Sequence, residues 1–146
     1  MMLPELTDFA QRYAKAWCSP NPQSVAAFFA ETGSLSVNDG PPAVGRAAIA
    51  EEAQRFMKTF PDMIVTFDKL ECSTPDGGRS SCDAVFHRTL SGTNTGPGGT
   101  GKRVRISGYE LWQIGDPGFI AQSEGHFDSS EYERQLKHGV AAGRGD

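Results

Sequence analysis

No stretch of this sequence is long and apolar enough to span a bilayer. Its start, Met1-Met2-Leu3-Pro4-Glu5, has neither the basic region nor the apolar run of a secretory signal. A cytoplasmic protein is the expectation. Cysteine is scarce and odd in number: Cys18, Cys72 and Cys82, without a C-x-x-C pair, suggest neither a disulfide framework nor a zinc site. Reduced, mostly buried thiols are the simplest reading, although Cys72 and Cys82 could face each other across a hairpin. The three histidines lack the i, i+4 spacing of a helical metal site, so no metal or other cofactor is expected. Positive charge is also short, with 14 Lys and Arg against 18 Asp and Glu. A net charge of −4 repels phosphate backbones, and the one basic cluster, Lys102, Arg103 and Arg105, is too small to reverse that. Nucleic acid is therefore not an expected partner. The glycines at 96, 98, 99 and 101 do not lead from a strand into a helix and make no phosphate loop.

What is present is one ordinary domain's worth of chain, 146 residues with 38% hydrophobic content. The domain is expected to span residues 1–138, with a frayed tail over 139–146. Residues 5–17 read as a helix whose apolar stripe is Leu6, Phe9, Ala10, Tyr13 and Trp17. Asn21 is placed to cap a second helix with Pro22 in its first turn and Val25, Phe28 and Phe29 as its apolar residues, ending at Gly33. Residues 34–37 alternate as a short strand, and 38–42 form a turn. A third helix is expected over about 46–58, with Ile49, Ala53, Phe56 and Met57 inward. Beyond Pro61 the period changes to that of strands, expected at 64–70, 82–92, 102–114 and 119–127. Turns at 76–78 and 116–118 join them, and 92–101 is a long, mobile connection. Helices first and an antiparallel meander afterwards give an α+β arrangement, with the curved sheet wrapped around the N-terminal helices and a hollow between.

Several runs resemble the SnoaL-like branch of the nuclear-transport-factor-2-like superfamily. They are Ala26-Ala27-Phe28-Phe29-Ala30, Gly45-Arg46-Ala47-Ala48-Ile49, Phe60-Pro61-Asp62-Met63, Ser91 to Gly96, Gly101 to Val104 and Ile120 to Asp128. The closing Glu133-Arg134-Gln135-Leu136 fits as well, so the resemblance covers about residues 6–138. It implies a cone-shaped α+β barrel, frequent homodimers and a deep apolar pocket. Its members range from polyketide cyclases and steroid isomerases to dehydratases and non-catalytic binders, so fold alone does not assign the reaction. Asn94 departs from the pattern, standing where many such chains carry the histidine of a His-Thr-Gly loop.

Four residues are candidates for acid/base work. Tyr13, in Gln11-Arg12-Tyr13, resembles the oxyanion-hole tyrosine of ketosteroid isomerases, and a core tyrosine bonded to backbone is the alternative. Glu110 shares the apolar parity of Val104, Ile106, Trp112 and Ile114, and at the comparable position the isomerases carry an Asp, the second acid of their oxyanion hole. An ion pair with Arg88 or Arg105 is its alternative. Asp128, in Gly125-His126-Phe127-Asp128, resembles the acid of polyketide cyclases, but Asp128-Ser129-Ser130-Glu131 also reads as a helix cap. Asp39 lies near the isomerase base, yet also suits a turn. Trp17, Phe56, Phe60, Phe86, Trp112 and His126 are the expected pocket lining. His87 and Asp83 share a strand face and could pair or simply meet solvent. The leading expectation is cofactor-free acid/base catalysis on a small apolar carbonyl compound, with Tyr13 and Glu110 lining the pocket and Asp128 or Asp39 moving the proton. The alternatives are a binding module for a hydrophobic metabolite, or a dimerisation scaffold whose hollow is filled by Phe56, Phe60, Phe86 and Trp112.

Overall fold

A computed structural model describes residues 3–73, 82–115 and 118–140. The chain begins with α1 (Leu3–Trp17), α2 (Pro22–Ala26), β1 (Phe29–Val37), β2 (Ala43–Val44) and α3 (Arg46–Thr59). It continues with β3 (Ile64–Ser73), β4 (Cys82–Thr93), β5 (Arg103–Ile114), β6 (Ile120–Phe127) and α4 (Ser129–His138). The six strands form one sheet in the order β2-β1-β6-β5-β4-β3. Strands β3 to β6 are the expected antiparallel meander. The sheet as a whole is mixed, because β1 runs parallel to β6.

The first helix folds as its spacing dictates. Leu6, Phe9, Ala10, Tyr13 and Trp17 are all buried, on the face turned to the sheet. The second helix is shorter than expected. Asn21 does cap it by accepting a bond from the Gln23 N–H, but Phe29 already belongs to β1 and Gly33 lies inside that strand. A Cβ on Gly33 would stand 2.8 Å from the Ile120 carbonyl oxygen, so this glycine permits the close approach of β1 to β6 where their register shifts. Gly45 stands immediately before α3 at φ +92°, a conformation that disfavours other residues.

The connection after β4, expected to be mobile, is bonded throughout. Asn94 donates its N–H to Lys102 and accepts from the Gly101 N–H, and Gly96 donates to Thr59 at the end of α3. Asn94 is buried, and its side-chain amide donates to the Thr100 hydroxyl. Its position in this loop is thus occupied by holding the connection together. The turn at 76–78 and residues 116 and 117 lie outside the described residues. Register sets Cys72 opposite Ala84, so Cys72 and Cys82 are not direct cross-strand partners.

Inward parity on β4 selects Ala84, Phe86, Arg88 and Leu90, and on β5 selects Val104, Ile106, Gly108, Glu110 and Trp112. Phe86 stacks on Trp112 at 4.8 Å, and Tyr13 meets both edge-on. Burying one such side chain contributes about 1.5–3 kcal/mol. These rings fill one end of the hollow between α1 and the sheet and leave the other end open.

Candidate functional site

The open end is a cavity of about 40 Å³ counted as space for water centres, or about 590 Å³ including its open mouth. Leu35, Val65, Leu90 and Ile106 line it from four strands, Trp17 from α1 and Phe56 from α3. Tyr132 of α4 adds a further aromatic wall. Its charged lining residues are Glu110 and Arg88.

Register explains how these two residues meet. Across the inner face, Phe86, Glu110 and Gly125 stand in one row, and Arg88, Gly108 and Phe127 in the next. The glycines leave room for longer neighbours. A Cβ on Gly108 would stand 2.2 Å from Arg88 Nη1, so the guanidinium rests on bare backbone. A Cβ on Gly125 would stand 3.7 Å from Glu110 Cγ and 3.8 Å from Arg88 Nη2.

Glu110 is only 4% exposed, and three donors converge on its Oε1. The Tyr13 hydroxyl donates at 2.9 Å, the Trp112 indole N–H at 2.9 Å and the Ser123 hydroxyl at 2.8 Å. Oε2 takes no hydrogen bond among the described residues. Oε1 is thus fully engaged as an acceptor, and a proton on this carboxyl group belongs on Oε2. Burial pushes the Tyr13 hydroxyl well above its ordinary pKa, and the adjacent Glu110 charge raises it further. The phenol therefore stays protonated and keeps donating. The Trp17 indole N–H lies near enough to oppose that rise slightly but reaches no hydrogen-bond partner.

The expected site residues separate into distinct places. Tyr13 and Glu110 come together, but Tyr13 spends its hydroxyl on Glu110 and does not line the cavity. The ion pair weighed for Glu110 does not form with Arg88 or Arg105. Trp17 and Phe56 line the cavity as expected. Phe86 and Trp112 lie in the packed end of the hollow, and Phe60 lines a separate surface depression beside Cys18 and Pro61. His126 faces the other side of the sheet, in an open groove of about 680 Å³ with Asp39, His87, Tyr109 and Asp128. Asp128 is the N-cap of α4, its carboxylate accepting from the Glu131 N–H at 3.1 Å. Asp39 is exposed, in a turn at φ +62°. His87 pairs with Glu71 at 2.6 Å rather than with Asp83. Neither aspartate therefore shares the cavity with Glu110.

Arg88 and Ser123 are the members that residue-by-residue reading passed over as site residues. Arg88 was legible, since it interrupts the apolar parity of Ala84, Phe86 and Leu90 as Glu110 interrupts that of β5. Ser123 was not, because the register shift between Gln113 and Ile114 breaks simple alternation on β6. No group of three or more metal-ligating side chains gathers among the described residues, and no helix among them is long and apolar enough to cross a membrane.

Comparison with known proteins places the chain in a family. None of the curated proteins matches the sequence. Among solved structures, the fold is similar to TsrD from Streptomyces laurentii (TM-score 0.75, 18% identity, covering 93% of this chain and 97% of that one). It is also similar to a hypothetical protein with a ketosteroid isomerase-like fold from Catenulispora acidiphila, solved with trimethylamine (TM-score 0.74, 18% identity, 88% and 92%). An NTF2-like protein with a cystatin-like fold from Novosphingobium aromaticivorans matches at TM-score 0.66 and 17% identity, covering 91% and 86%. At these identities the likeness shows the fold. Residues 7–136 match the SnoaL-like polyketide cyclase family, and the chain belongs to that family.

Proposed function

We propose that this protein is a cofactor-free acid/base catalyst acting on a small carbonyl compound, with Glu110 as the group that moves the proton. The observation that carries the reading is the engagement of Oε1 by three donors beside an apolar cavity that Glu110 itself lines. A carboxylate fixed through one oxygen presents the other in a constant position, which is the preorganisation that proton transfer needs. In the step envisaged, the C–H bond next to the carbonyl breaks, its proton goes to Oε2 and the electron pair moves to the carbonyl oxygen as an enolate. Oε2 then returns the proton at carbon or oxygen. Tyr13, Trp112 and Ser123 act as positioning residues through Glu110.

The water-accessible interior holds roughly three water molecules, so it suits the reacting end of a small ligand. The Catenulispora relative holds trimethylamine, a cation at neutral pH. Here Arg88 places a positive charge on the cavity wall opposite the Glu110 carboxylate.

The test is exchange of carbon-bound protons for deuterium in a panel of small ketones, followed by proton NMR. The wild-type protein is expected to accelerate exchange, and Glu110→Gln to lose about 100-fold or more of that rate. Unchanged exchange in the variant would remove Glu110 from the chemistry. Ligand binding without any exchange would make the protein a binder.

A further inference from the structure

We infer that the cavity takes a small carboxylate, its anionic end on Arg88 and its neighbouring carbon above Gly125. The binding of the anion does not rest on the acid/base reading of Glu110, which concerns carbonyl compounds.

Arg88 lines the cavity half-buried, yet it makes no hydrogen bond and no ion pair with any described residue. Its Nη1 is enclosed and unpartnered. Glu110, the other charged lining residue, faces it across the Gly125 gap without direct contact, so it offsets the charge at a distance but leaves the guanidinium's donors open. A half-buried guanidinium whose donors are unsatisfied is unfavourable, and a bound anion that accepts from them removes part of that penalty. Nη2 is the nitrogen turned toward Gly125, where a missing side chain separates Arg88 from Glu110.

The space therefore has a cation on one side, a carboxylate on the other and an apolar wall around it. A monocarboxylate with a short apolar tail meets the cation and the apolar wall, its charge held on the side away from Glu110. Its oxygens accept charge-assisted bonds from the guanidinium, and its tail covers Leu90 and Ile106. Its α-carbon, above Gly125, stands before Glu110. A neutral amide of the same shape offers an acceptor without the charge.

The experiment is calorimetric titration of the full chain with acetate, butyrate, benzoate and benzamide. Butyrate or benzoate is expected to bind, and benzamide to bind about tenfold more weakly or not at all. Arg88→Met should weaken carboxylate binding about tenfold to a hundredfold while its unfolding temperature holds or rises, because an unpaired charge has been removed. Gly125→Ala checks the same space independently. Its new methyl would meet Ser36, Glu110 and Arg88 at 3.5–3.8 Å, ordinary contact distances, so the fold is kept while the gap is filled. Glu110→Gln should bind the carboxylate as well as wild type or better, since a like charge is gone. Equal affinity for benzoate and benzamide, no binding of any carboxylate, or wild-type carboxylate affinity in both Arg88→Met and Gly125→Ala would each overturn the inference. If Arg88→Met does not fold, wild-type affinity in Gly125→Ala alone overturns it. Loss of carbon-proton exchange is a separate readout, so failure of the Glu110 reading leaves the binding result to stand or fall by itself.

Discussion

The two faces of the sheet use the same strands and treat similar side chains in opposite ways. On the inner face, Glu110 lies under an aromatic layer with three donors on one oxygen. On the outer face, its neighbour Tyr109 is exposed and meets His126 in a tilted ring contact at 5.3 Å, while His87 pairs with Glu71 and Thr89 donates to Asp68. Parity alone decides which environment a residue enters. Outside, water screens each pair and competes for each bond, so single pairs are worth little. Inside, the same types of contact act with little screening, and any group left alone is costly. Under the proposed function, the working acid is thus chosen by the face it occupies rather than by the family motif around it.

This contrast can be broken or sharpened by substitution. The largest effect is expected from Glu110→Ala, which strands three buried donors and should cost about 3–5 kcal/mol in a denaturant titration. Glu110→Gln keeps an acceptor and should lose far less. Gly108→Ala comes next, because its methyl would collide with Arg88 Nη1 and stand 2.4 Å from the His126 carbonyl oxygen. A loss of about 1–3 kcal/mol is expected there. On the outer side, Asp128→Ala should cost about 1 kcal/mol as the loss of a helix cap and leave proton exchange untouched. Glu71→Gln, at an exposed pair, should change stability least.

The pH response should divide the molecule in the same way. Tyr13 has a raised pKa through burial first and the Glu110 charge second. Its contribution to stability is present below the ordinary tyrosine value of 10.0 and lost as pH rises above it, because only the unfolded chain ionises there. Tyr13→Phe should remove that part of the alkaline destabilisation in thermal scans. Glu131, on surface helix α4, has its pKa lowered to about 2 by its bonds from Arg134 and then Gln135. Its contribution is present above the ordinary value of 4.5 and lost as pH falls through about 2. Helix α4 should therefore loosen in acid, which helical circular dichroism would record.

Much of the fold was legible because α1 and β3 to β6 have clean periods. The stripe from Leu6 to Trp17 and the alternation from Val104 to Ile114 place Tyr13 and Glu110 facing one another. The boundary at Phe28 and Phe29 was not legible, because an apolar pair suits a helix and a strand equally. The parallel pairing of β1 with β6 is a long-range choice that local pattern does not encode. Asp128 carried both a family resemblance and a capping signal, and the structure realises the cap. Arg88 was visible by parity but lacked any local motif. Its partnerless state depends on Gly108 and Gly125, which reach it only through register.

The central claim is that chemistry belongs to the inner face. It is tested most directly by comparing carbon-proton exchange on one responsive ketone in Glu110→Gln and in the double variant Asp39→Asn, Asp128→Asn. The account predicts that Glu110→Gln loses about 100-fold or more while the double variant keeps the wild-type rate. Loss in the double variant with full exchange in Glu110→Gln would move the chemistry to the outer face and contradict it.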